Sequence, residues 1–488
     1  MALRNIRMDF GPWEPDAALL EGAHAPEARN VIPARRGWRP LPGMAPLQLD
    51  ALPSAVRAAF TVRGLHGTDS TFAATAEGVF SLEGRSWVQR YSGSSALSGR
   101  SFTAFGDAVY ALFGSTLLKS RIEGAPSDFA AVEQAPAGEV LGVVRDFLVL
   151  GRLADRKNAI RWSGFDRPDE WPAPGTDGAQ AVQADIQVFP EGGQVQSVLG
   201  SVGGADGLIF LERAIQRVTY VGAPYIFQFD AVDSAGGCRA PDSPVICGGA
   251  CVFLAEDGWR ITDGASVRRI GLDRVDGWFF ENCSPERIAE VRGVYDGRHG
   301  VALWSFPSSE AAPGIHDRLL IYHHGLDRWS YGTLETEMLF SDVTRGGVML
   351  EDLDAYGSLD SLPFSSLDLP MFRNGAVSVV SCFDAAHRLA NLSGPALEAV
   401  LDTAEHGGRR MMLHGLRPLV DGGEARAMPA FRSRQSDARR WGEERAPQRD
   451  GICPQHLSTV YLAARLTLPA GTEWRHAVGV EALVEGEC

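Results

Sequence analysis

The chain has 488 residues, a formal net charge of −15 and 45% hydrophobic residues. That length calls for two or more domains at roughly 100–200 residues each, with enough apolar content for real cores. The acidic balance excludes a protein that wraps nucleic acid tightly, which needs a basic footprint. It leaves open one that lets DNA slide past.

Gly 55 and Pro 28 fit a chain with many turns; both exceed the usual shares of about 7% and 5%, by too little for a collagen-like or disordered chain. The cations are nearly all arginine, with Lys119 and Lys157 the exceptions.

Residues 1–50 carry Pro12, Pro15, Pro26, Pro33, Pro40, Pro42 and Pro46. Proline fixes φ and removes a donor, so this segment is predicted as an extended arm with no long helix, lying along another surface. Its stretch 30–43, NVIPARRGWRPLPG, reads as a clasp anchored by Trp38. MALRNIRMDFGPW at the start has no apolar core of signal-peptide length, and no window approaches 18 apolar residues. A soluble chain without a simple secretory signal or a membrane span is expected.

Residues 51–345 hold a recurring phrase in which a short apolar or aromatic run meets a tight turn. Examples are GVFSLEGRSW at 78–87, VYALFGSTL at 109–117, VFLAEDGWRI at 252–261 and LLIYHHGLDRWS at 319–330. Such phrases read as β-hairpins, and their repetition predicts an all-β fold, a β-propeller of about six or seven blades. Strand clusters at 56–62, 140–150, 208–211, 217–221 and 300–306 place boundaries near 95, 139, 190, 238, 285 and 335. Residues 346–375, with Pro363 and Pro370, read as a linker or long loop. Residues 376–488 carry six candidate strands, at 376–382, 396–401, 409–416, 425–431, 459–468 and 476–484, and predict a C-terminal β-sandwich-like domain. The stretch 432–450, with six arginines, reads as an exposed loop.

Chemistry is harder to find. Asp257-Gly258, Asp263-Gly264, Asp276-Gly277 and Asp296-Gly297 are turn pairs first and candidate acids second. A Gly-x-Ser-x-Gly elbow is missing, and GSVGG at 200–204 lacks the Lys and Ser/Thr of a phosphate loop. His323 and His324 follow a strand, where neighbours face opposite ways and do not chelate one metal. The seven cysteines, Cys238, Cys247, Cys251, Cys283, Cys382, Cys453 and Cys488, have no zinc spacing and read as free buried thiols. Cys247 and Cys251 share a strand face if 245–254 is continuous. In IRWSGFDRPDEWP, 160–172, Trp162 and Trp171 face each other across a turn as a packing clamp, with a sugar-stacking platform as the other reading. No catalytic, cofactor or metal residue is assigned, and no cofactor and no enzyme activity are expected. The structural anchors are Trp38, Trp87, Trp162, Trp171, Trp259, Trp329 and Trp474.

Taken in order, several stretches resemble the tail nozzle, or packaged-DNA-stabilisation, proteins of tailed bacteriophages. They are NVIPARRGWRPLPG, FAATAEGVFSLEGRSW at 72–87, EVLGVVRDFLVLG at 139–151, IRWSGFDRPDEWP, VTYVGAPYIFQFD at 218–230 and ACVFLAEDGWRITDGASVRRIGLDRV at 250–275. EAVLDTAEHGGRRMMLHGLRPL at 398–419 and EWRHAVGV at 473–480 continue the series. The resemblance implies a virion structural protein made in the host cytoplasm and placed in the tail. There it forms a ring of identical subunits, six in the family, below the portal and adaptor. Its partners are its own copies, adaptor, portal and other tail proteins, and phage DNA passing through the channel for retention and ejection. The departures lie at 345–375 and 432–450, which leaves the partner contacts open. A host-binding propeller adhesin or glycan hydrolase, and a cellular propeller scaffold, are the competing readings.

Overall fold

The computed structural model describes residues 3–18, 24–64, 69–94, 102–122, 127–233, 236–343 and 378–486. It is an all-β propeller carrying a large additional sheet. Among the described residues the α-helices are short, at Asp177–Val182 and Asp276–Asn282. Among the described residues no helix is long and apolar enough to cross a membrane.

Six separate four-stranded sheets, and a seventh four-stranded unit that opens the largest sheet, follow one another round a ring. Their first strands are Ala58–Arg63, Phe102–Phe105, Val140–Val144, Val195–Val202, Val245–Cys247, Arg292–Asp296 and Met338–Val343. These open blades 1 to 7. The ring closes where Met338–Val343 lies between Arg292–Asp296 and Ala58–Arg63.

The interior shows why the strands read as continuous apolar runs. In Ala108–Phe113 of blade 2, every residue is buried. Successive side chains on a strand point to opposite faces. Ala108, Tyr110 and Leu112 therefore enter the core shared with blade 3, while Val109, Ala111 and Phe113 enter the core shared with blade 1. Val301 and Leu303 of blade 6 face blade 7, and Ala302, Trp304 and Phe306 face blade 5. Each blade is sandwiched, so neither face keeps a polar alternation.

The recurring phrases are hairpins, but they hold no fixed place in a blade. Gly78–Glu83 with Ser86–Ser92 are third and fourth strands, whereas Ala108–Phe113 with Thr116–Arg121 are second and third. Residues 140–150 are two strands, Val140–Val144 and Phe147–Gly151, not one. Val245–Cys247 and Ala250–Ala255 are likewise separate, so Cys247 and Cys251 do not share a face; they enter the two cores on opposite sides of blade 5. The six described cysteines are buried and form no disulfide among the described residues.

The division of the chain at 345 and 376 is not where the sheets divide. Ser378–Phe383 and Leu389–Ala396 are strands of blade 7, and its outer strand is Pro42–Pro46 from the arm, with Met44 opposite Leu392. The physical reason is hydrogen bonding: Met338–Val343 pairs with Ser378–Phe383, and the open edge of Leu389–Ala396 is filled by Pro42–Pro46 from the arm. The predicted linker 346–375 lies outside the described residues.

The large sheet is built on Cys453–Leu468. Ala399–Asp402 and His406–Val420 pair with it in antiparallel register, as does Arg426–Arg432. Ala477–Gly486 pairs with His406–Val420, and Arg4–Asp9 of the arm pairs with Ala477–Gly486. Arg29 joins this sheet to blade 6, pairing with Val400 on one side and Tyr331 on the other. One core then runs through blades 5 and 6, the arm and the C-terminal strands.

Candidate functional site

The seven anchor tryptophans do not converge on one place. Trp38, Trp259, Trp329 and Trp474 share the core that joins blades 5 and 6 to the C-terminal sheet. Trp162 and Trp171 enter cores on opposite sides of blade 3, so they form no clamp and no common platform. Both rings are buried, and their indole N–H groups donate to Gln183 O at 2.9 Å and Pro168 O at 2.8 Å. Trp162 ends the strand Ala159–Trp162, the chain turns through Asp166, and Trp171 lies in the loop beyond, on the other side of the blade. Trp87 is half-buried and donates to Asp50 O at 3.1 Å. Trp13 and Trp304, which the hairpin phrases do not include, are equally central: Trp304 lies 4.5 Å from Trp259 between ring centroids.

Of the four Asp-Gly pairs, Asp276-Gly277 is not a turn. Asp276 opens the helix Asp276–Asn282 and is buried. Its carboxylate accepts from Trp259 N at 2.9 Å and fits between Gly258 and Gly271, where a Cβ would come within 2.2 and 1.9 Å of its oxygens. Burial pushes its pKa up to about 6, against the pull of the Trp259 N–H and with help from Asp16 and Asp257. Asp263 and Asp296 are turn residues, accepting from the backbone two and three positions on.

A surface cleft lies where arm, blade 6 and C-terminal sheet meet. It has a volume of about 640 Å³. Its floor is the clasp predicted at 30–43. The hairpin Val31–Pro33 to Trp38–Pro40 turns at Arg35 and Arg36, both exposed. Gly37 holds φ +90° against the C-terminal sheet, where a Cβ would lie 2.1 Å from Ala477 O. Only glycine meets both conditions without strain.

Trp38 is fully buried beneath Arg328, whose guanidinium sits 4.4 Å from the ring centroid. Arg328 donates to three arm carbonyls: Ala34 O at 3.0 Å, Gly37 O at 3.3 Å and Gly11 O at 3.0 Å. Its partners are carbonyls and a ring, with no carboxylate among the described residues, and its Nε is buried without a partner. Desolvation lowers its pKa. Beside it, Arg274 binds Glu14 at 2.9 Å and Asp327 at 3.1 Å, and Tyr322 also donates to Asp327 at 2.7 Å. Chemically this is a cationic recess with a rigid floor. Among the described residues no group of three or more His, Cys, Asp or Glu is arranged to hold a metal.

No protein-family model and no curated protein matches the sequence. Among solved structures, the chain is similar to the extracellular domain of a one component system from B. thetaiotaomicron, at 12% identity and TM-score 0.41, over 82% of this chain and 47% of that one. It thus spans about half the length of that protein. It is also similar to the Neurospora crassa Pan2 WD40 domain, at 9% identity and TM-score 0.39, over 74% of this chain and 96% of that one. A third likeness is to the Trichoderma reesei carbohydrate-active enzyme of family AA12, at 10% identity and TM-score 0.33, over 74% and 98%. At these scores none bears on function; the fold class rests on the sheets themselves, and the chain is an all-β propeller with an added C-terminal sheet.

Proposed function

We propose that this chain is a structural ring subunit of a tailed-phage virion, in the nozzle position below portal and adaptor. The observation that carries the reading is the way the arm is woven through the molecule. Its strands complete blade 7, bridge blade 6 to the C-terminal sheet and edge that sheet at Arg4–Asp9. Such stitching suits a part that bears load and holds its shape. The ordered series of stretches resembling nozzle proteins supports the same reading. The ring holds six copies, and the DNA passes without sequence-specific contact. An acidic channel wall keeps the barrier to sliding low, because each neutralised phosphate would add salt-dependent affinity.

The test is mass spectrometry of purified particles from cells that carry the gene, followed by cryo-electron microscopy. The expected result is a single ring of this chain on the tail axis, its channel lined mainly by Asp and Glu. Recovery of the chain only apart from particles, or a channel lined continuously by arginine, would overturn the proposal.

A further inference from the structure

The cleft between arm, blade 6 and C-terminal sheet has a charge balance opposite to that of the chain. Five arginines line it, Arg7, Arg35, Arg36, Arg274 and Arg328, against the carboxylates of Asp9, Glu14 and Asp327. The chain as a whole carries −15. The three carboxylates are already engaged. Asp9 is held by Arg7 at 2.7 Å, and Glu14 and Asp327 are both held by Arg274. That leaves Arg35, Arg36 and Arg328 without a carboxylate partner among the described residues. Arg328 is fixed by three carbonyls and the Trp38 ring and cannot swing out to water. Arg35 and Arg36 project from a hairpin turn whose next residue, Gly37, is locked against Ala477.

We infer that this cleft binds an anion bearing two or more phosphate groups. Guanidinium groups present planar forks that match phosphate oxygens two at a time, and a recess walled by protein concentrates their field. A cavity of about 640 Å³ is far larger than one carboxylate or one water needs, and its arginines come from four segments: Arg7, the Arg35-Arg36 turn, Arg274 and Arg328. A chain of linked phosphates reaches several of them at once; a single carboxylate reaches one. The phosphates come either from a free oligophosphate or from a nucleic-acid backbone. The inference draws on charge and cavity alone and stands whether or not the chain is a tail protein.

The test uses the full chain and two probes, inorganic tripolyphosphate by calorimetry and a labelled duplex DNA by fluorescence anisotropy, at low salt and again at 0.3 M salt. Tripolyphosphate is expected to bind one to one and to weaken with salt. The double variant R35A/R36A should lose at least tenfold in affinity while its circular dichroism is unchanged. R409A/R410A removes two exposed arginines from the C-terminal sheet, outside the cleft, and should bind as the parent does. DNA that tripolyphosphate displaces identifies the backbone as a source. Tripolyphosphate binding without DNA binding identifies a free oligophosphate, and both results support the site. Absence of binding by the parent chain, equal affinity in parent and R35A/R36A, or tighter binding of an oligo-aspartate peptide than of tripolyphosphate would overturn it.

Discussion

Asp276 is a buried acid whose ionisation opposes folding. Its ordinary value is 3.8, and the folded chain raises it to about 6. Between those values the folded chain holds a proton that the unfolded chain has released. The Asp276 contribution to stability therefore falls as pH rises from about 4 to about 6 and is level above that, while His316, whose burial lowers its pKa to about 3, contributes in the opposite sense. Two units correspond to roughly 2–3 kcal/mol. In Asp276→Asn the oxygen that accepts from Trp259 N remains while the titration is gone. On going from pH 4.5 to 7.5 the variant should gain stability relative to the parent, read from urea midpoints, and an unchanged offset between the two would show that Asp276 carries no such linkage. Gly37 gives a second test at this scale. An alanine there meets φ +90° and the Ala477 carbonyl together, so Gly37→Ala should lower stability by at least roughly 1–3 kcal/mol, read from thermal unfolding. Trp38 was legible as a buried anchor because a large aromatic stands among prolines in a clasp. The burial of Asp276 was not legible, because Asp-Gly is turn chemistry locally and its cradle is made by Gly258 and Gly271 from elsewhere.

The hairpins are the elements the sequence shows best. Apolar runs broken by Gly or Asp predict strand, turn and strand, and that is what 252–261 and 319–330 form. Two features of the elements depend on context. A run such as VLGVVRDFLVL reads as one strand or two according to whether its central Arg-Asp turns, and Arg145 does turn, at φ +51°. Whether a hairpin supplies second and third strands or third and fourth depends on where the chain enters the blade. The clasp is the element on which the junction hangs. Trp38→Ala removes a fully buried ring from the joint core and the platform under Arg328, a loss of about 3–5 kcal/mol. Denaturant unfolding measures it, and limited proteolysis should show the arm cleaved first. A cost below 1 kcal/mol would mean that the clasp is incidental.

At the scale of the molecule, seven apolar cores among the described residues lie between successive blades, and the one between blades 5 and 6 extends into the arm and C-terminal sheet. The C-terminal strands therefore share a core with the propeller and do not hold one of their own. Calorimetry is expected to show one cooperative unfolding transition. Two resolved transitions, with the C-terminal strands melting apart from the blades, would contradict the shared core. The ring arrangement and the cationic cleft likewise belong to this scale. The cleft draws Arg35 from the arm, Arg274 from the segment before a helix and Arg328 from blade 6, three positions far apart in the chain.

By itself the sequence determined that the chain is all-β, hairpin-built and propeller-like, because strand and turn preferences act over a few residues and repeat along the chain. It also marked the prolyl arm as extended and Trp38 as its anchor. Tertiary structure alone decided where the sheets divide, which core each tryptophan enters and that the arm supplies an outer strand to blade 7. Those outcomes depend on hydrogen-bond edges and apolar faces meeting partners far away in the chain, and no local pattern encodes the partner. The cleft follows the same rule: each arginine is an ordinary surface or turn residue in its own segment, and the recess exists only where three segments close around it.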